Sequence, residues 1–163
     1  MSHCEAIFVR LKQDHDRHRA LLKKIGSAGD DGEAKTGLFT ELTKELKGHA
    51  AAEEQALYST MMRKPPTTDE TRHSVAEHHE IDEMLNDLAA TDMASDEWMT
   101  KFRDLEHRYL HHIEEEEEEH FPDFAEHLTA EDEVHMTAVF DRRKKAEKAE
   151  AEVTPEKAED AKE

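Results

Sequence analysis

A chain of 163 residues is long enough for one domain with a single core, and 39% charged against 36% hydrophobic residues suits amphipathic helices with very polar outer faces. A net charge of −19 repels phosphate backbones and anionic lipid heads, so neither nucleic acid nor a membrane is expected as a partner, while metal cations fit the sign. Only five Gly and four Pro favour long helices over a β fold, and 13 histidines are the compositional anomaly.

The first predicted helix runs near 4–26. Its start, MSHCEAIFVRLKQDH, lacks the basic segment and apolar core of a signal peptide, and no run in the chain approaches the ~20 apolar residues of a spanning helix, so the cytoplasm is the expected location. Cys4 is the single cysteine, which excludes an internal disulfide; nothing beside it marks a reactive thiolate. On the apolar stripe Phe8 and Leu11 lead to His15 and His18, then Leu22 and Ile25.

GSAGDDG (26–32) breaks the pattern, and a second helix is expected over 33–63. Here Phe39, Leu42 and Leu46 lead to His49, Glu53 and Leu57 in steps of three or four. Pro65 and Pro66 stop it. A third helix over 69–90 carries Val75, His78, Ile81, Leu85 and Leu88 on one stripe, with His73 and His79 off it.

After TDMASDE (91–97), where Ser95 is placed to cap, a fourth helix is predicted over 96–121, with Pro122 interrupting beyond. Its stripe is Trp98, Phe102, Leu105, Tyr109, His112 and Glu116; His111 shares a face with Lys101, Asp104 and Arg108 and points to water. Thr129 followed by AED marks the start of a shorter fifth helix near 130–149. The Lys/Glu/Ala-rich ending reads as a disordered acidic tail over 151–163, leaving one domain over 1–150.

A single core-facing histidine is ordinarily a hydrogen-bonded structural residue. The repetition argues otherwise here. His15 to His49 and His78 to His112 are both 34 residues, and each second histidine is followed four residues on by a glutamate, so the halves are offset by 63 throughout. Buried carboxylates are costly unless paired or metal-bound, and four imidazoles with two carboxylates on facing stripes suit two divalent cations. Such mixed N/O ligation points to iron, with manganese second, rather than closed structural zinc sites. Open positions on neighbouring cations are places for O2, peroxide or NO.

Four stretches, DHDRHRALL around His15, HAAAEEQALY from His49, AEHHEID around His78 and HHIEEEEEEHFPDF around His112, together resemble the hemerythrin family, in its bacterial form with an HHE cation-binding domain. The resemblance spans about residues 4–127. It implies an all-α, up-down-up-down four-helix bundle holding a non-haem di-iron centre, with two iron ions held by His15, His49, Glu53, His78, His112 and Glu116. The oxygen carriers of the family have a further histidine where this chain has Ser74, so the resemblance implies the six-ligand type rather than reversible oxygen carriage. The function expected from it is binding or sensing O2, peroxide or NO, with catalase-like peroxide decomposition as its enzymatic form. The alternative is a non-catalytic iron-binding or iron-responsive protein, and a plain acidic bundle without metal is the third reading. A monomer or weak homodimer is expected. His18, one turn from His15, is expected to be hydrogen-bonded rather than a seventh ligand, and Tyr109 to be core packing. The other glutamates of 114–119 are expected to form a solvated face, and His3, His107, His120, His127 and His135 to lie at the surface.

Overall fold

The computed structural model describes the backbone of residues 6–150 and the side chains of residues 6–146. Cys4, His3 and the expected tail over 151–163 lie outside the described residues. Within them the protein is all-helical. Helix α1 is Ala6–Gly26. Helix α2 is Gly32–Glu53, continuing through a π-helical turn at Glu54–Tyr58 into Ser59–Met61. Helix α3 is Thr68–Ala90. Helix α4 is Asp96–Glu115, continuing through a second π turn at Glu116–His120 into Phe121–Glu126, and α5 is Ala130–Glu150. None of these is long and apolar enough to cross a membrane.

The helix ends follow local chemistry. Asp31 accepts a hydrogen bond from the Ala34 N–H, and Ser95 accepts one from the Trp98 N–H, as expected of N-caps. Thr129 and Asp132 form a reciprocal box, each side chain accepting from the other's backbone N–H at 3.0 Å. Lys64, directly before Pro65, is extended, so α2 ends there and Pro65–Thr67 form a 3₁₀ turn. Gly29 takes a φ of 61° in the connection between α1 and α2.

Short connections fold consecutive helices into two packed hairpins, α1 with α2 and α3 with α4, which form the four-helix bundle; α5 lies against α1 and α2. α5 is as long as α1, at 21 residues, rather than shorter. Pro122 does not end α4. The preceding π turn already breaks the regular hydrogen-bond ladder, with the Phe121 N–H reaching Glu116 O, so a residue without an N–H is tolerated at the restart.

The core has two apolar clusters. One, around Leu22, Leu42, Leu85, Trp98, Phe102 and Leu105, fills one end of the bundle; Trp98 stacks on Phe102 at 5.6 Å. The other, around Ile7, Leu11, Leu57, Met61, Phe121 and Phe124, fills the opposite end and takes Met136 and Phe140 from α5. Each such side chain stabilises by roughly 1.5–3 kcal/mol when fully buried. His15, His49, Glu53, His78, His112 and Glu116 occupy neither cluster, and all are at most 8% exposed.

Candidate metal centre

Each helix of the bundle carries one histidine of this buried set, and the structure brings the six expected residues into two groups. His15, His49 and Glu53 form one; Glu53, His78, His112 and Glu116 form the other; the nitrogen and oxygen atoms offered within each group lie within 4.8 Å of one another. Glu53 belongs to both. Its Oε2 is 3.2 Å from His49 Nε2 and its Oε1 is 3.1 Å from His78 Nε2, so the carboxylate spans the two halves. Glu116 belongs to the second group. Its Oε1 is 2.5 Å from His112 Nε2, and Tyr58 donates a hydrogen bond of 3.2 Å to its Oε2.

The inward atoms are not hydrogen-bonded. His15 Nε2, His49 Nε2, His112 Nε2, both oxygens of Glu53 and Oε1 of Glu116 are buried without a hydrogen-bond partner, although ionic contacts between imidazoles and carboxylates offset part of that. A buried unsatisfied polar atom costs about 1–3 kcal/mol. The donor set therefore fits divalent cations, which satisfy nitrogen and carboxylate oxygen at once.

The outward nitrogens are all occupied. His15 Nδ1 faces Glu117 at 2.7 Å, His49 Nδ1 faces Asp14 at 2.9 Å, His78 Nδ1 faces Glu54 at 3.3 Å, and His112 Nδ1 faces Glu77 at 3.0 Å. An ionised carboxylate only accepts, so Nδ1 carries the hydrogen and Nε2 faces inward. These four carboxylates follow the same offset as the histidines, Asp14 to Glu77 and Glu54 to Glu117 each being 63 residues apart. Sequence reading missed them, although that offset was the signal that could have found them.

The charges couple. Burial opposes the imidazolium form of His49, but Glu53 and Asp14 outweigh it and raise its pKa to about 9. Burial is likewise outweighed at His112, where Glu116 and Glu77 raise the pKa to about 10. Burial also opposes ionisation of Glu53, yet His49 and His78 hold it well below the usual carboxylate range. Asp14 too is held low against burial by His49, Lys144 and Arg17; Lys144 of α5 reaches its Oδ2 at 3.2 Å.

His18 is fully buried, with its Nδ1 2.6 Å from the Tyr109 hydroxyl, and burial lowers its pKa to about 4 despite Glu45. It belongs to neither ligand group, and Tyr109 is both core and hydrogen-bonding partner. Two surface expectations are corrected. His120 is only 5% exposed, with Nδ1 3.0 Å from Ser74 Oγ, and Glu117 is held between His15 and Arg19 rather than in water. The extra residue of the π turn shifts the buried face past Glu116, so a stripe drawn at 3.6 residues per turn misplaces the side chains beyond that point. His111, His73 and His79 do have exposed side chains, at 61%, 54% and 75%.

A cavity of about 20 Å³ lies beside His49 and His78, walled by Leu46, Ile81, Leu85 and Tyr109. It shares Lys47, Ala50, His78 and Asp82 with an outer groove of about 320 Å³. Lys47 and Asp82 pair across its rim at 3.0 Å.

The sequence profile of the family described as Hemerythrin HHE cation binding domain matches residues 6–124. An uncharacterized hemerythrin-like protein of Schizosaccharomyces pombe is 27% identical over 146 residues, covering 86% of this chain and 68% of that protein. No solved structure matches.

Proposed function

Because the chain belongs to the hemerythrin HHE cation-binding family, we propose that it is a non-haem di-iron protein that takes up a small ligand, O2, peroxide or NO, at a cation pair held by His15, His49, Glu53, His78, His112 and Glu116. The observation that carries this reading is the pair of buried donor groups joined through Glu53, with their inward atoms left without hydrogen bonds. Two iron ions there supply open coordination positions and one-electron changes of oxidation state, the chemistry that small oxygen and nitrogen ligands require.

The chain's own residues do the rest. Asp14, Glu54, Glu77 and Glu117 fix the ring orientation of the four histidines. Tyr58 holds one oxygen of Glu116 by donating to it. Leu46, Ile81 and Leu85 line a cavity of about 20 Å³ beside His49 and His78, room for a body the size of a water molecule. Peroxide decomposition is the enzymatic form of this reading. The second reading, iron retention without ligand chemistry, is favoured by the same atoms, because a core so poorly satisfied alone ties folding to metal.

Metal content per chain and the near-UV and visible spectrum test the proposal. The expected result is about two irons per chain with ferric absorption that changes on adding peroxide or NO. Glu53→Gln is expected to lower binding of both cations, because Glu53 belongs to both groups. Iron at full content with a spectrum indifferent to every small ligand supports the second reading. Metal content unchanged by both Glu53→Gln and His112→Ala overturns the centre itself.

A further inference from the structure

Outside the centre, α3 and α4 bring together a second set of donors. His73 Nε2 is 3.0 Å from Glu115 Oε1 and 3.3 Å from Glu77 Oε1, and His120 Nε2 reaches the same Glu115 oxygen at 3.2 Å. The donor atoms of His73, Glu77 and Glu115 all lie within 4.8 Å of one another. From this arrangement we propose that the chain carries a separate outer site for one divalent transition cation, held by His73, Glu77 and Glu115, with His120 holding Glu115 in place.

Two features distinguish this set from a solvated acidic patch. It contains an imidazole, and both Glu77 and the His120 that holds Glu115 are only 5% exposed. Ser74 Oγ fixes His120 through Nδ1 and so turns Nε2 toward Glu115. An imidazole nitrogen with two carboxylate oxygens favours zinc, iron(II) or manganese(II) over calcium and magnesium, which prefer oxygen alone. The half-exposed His73 leaves the site open to solvent on one side. On the inner side Glu77 also holds His112 Nδ1, at 3.0 Å, so a single carboxylate joins the outer site to the centre. A cation arriving from solvent meets the outer donors first, and the outer site is a loading station for the centre.

Zinc binding to the full chain tests this, with metal per chain measured after equilibrium dialysis. Wild-type protein is expected to hold one equivalent beyond those of the centre. His73→Ala with Glu115→Gln is expected to lose that equivalent alone and to leave the visible spectrum of the iron-loaded centre in place. His73→Ala by itself, at a half-exposed side chain, is expected to weaken it by about tenfold or more. Asp123→Asn with His127→Ala disrupts a second histidine–carboxylate group among the described residues and is expected to retain it. Iron loading of metal-free protein is expected to slow in the double variant while reaching the same final content. An extra equivalent that persists in His73→Ala with Glu115→Gln, or none in the wild type, overturns the outer site; unchanged loading overturns its role as a station. An outer equivalent that survives in Glu53→Gln while central metal is lost shows the two sites to be independent, so failure of the di-iron reading leaves this one standing.

Discussion

Asp14 and Glu77 do the same work in the two halves, each holding the outward nitrogen of a histidine 35 residues further along. Replacing the carboxylate with an amide removes the charge and lets the ring adopt either tautomer. Asp14→Asn and Glu77→Gln are therefore each expected to weaken cation binding about 10- to 100-fold, read by competition with a chelator. Equal affinity in either variant rules out ring orientation by that carboxylate. At this scale the inward residues were legible, because a helix face can be followed four residues at a time. The carboxylates behind them were not. A stripe says which side chains face the core, whereas Asp14 sits beside His15 in sequence yet serves His49 on the next helix.

At the scale of the element, the two π turns decide what lies beyond Glu53 and Glu116. The one in α4 turns His120 and Phe121 inward, and Phe124 follows into the apolar cluster. Glu118 within it is exposed, so one Ala inserted after it deletes no core contact directly. The insertion adds a residue beyond the one the turn absorbs and rotates Phe121 and Phe124 by about 100° from their places in the core. The expected loss is about 3 kcal/mol or more, since burying a Phe is worth that much, and thermal melting reads it. A melting temperature equal to wild type would show that the turn carries no register. Caps and stripes were legible at this scale, as Ser95, Asp132 and the four apolar faces show. The π turns were not, because one extra residue inside a long helix leaves no mark on composition.

For the molecule as a whole, a charged layer between two apolar ends makes stability depend on pH and on metal together. His49 and His112 have folded pKa values near 9 and 10, above the ordinary 6.5. In metal-free protein their stabilisation is complete below about pH 6.5 and is lost as pH rises through 9 and 10. Asp14, Glu53, Glu77 and Glu117 are depressed, so theirs is present above the usual carboxylate range and is lost on acidification. The low value of His18 adds to the loss below pH 6.5. Urea midpoints of metal-free protein are therefore expected to peak near neutrality and to fall above pH 9, whereas loaded protein keeps its midpoint there because cations replace the departing protons. Parallel declines in both forms would contradict this. The helical class and the 63-residue repeat were legible at this scale because both are properties of spacing; the position of α5 against α1 and α2 was not, since it depends on Met136, Phe140 and Lys144 finding partners far away in the chain.

The cavity beside the centre gives this near-symmetric molecule a front and a back. Its wall of Leu46, His49, His78, Ile81, Leu85 and Tyr109 has a counterpart 63 residues away in Tyr109, His112, His15, His18, Leu22 and Leu46. On that far side the place of Ile81 is taken by His18, clasped to Tyr109 at 2.6 Å. One side has a cavity, and the matching place on the other holds an imidazole bonded to a phenol. The cavity lies at Ile81, between α2 and α3, on the side of His49 and His78.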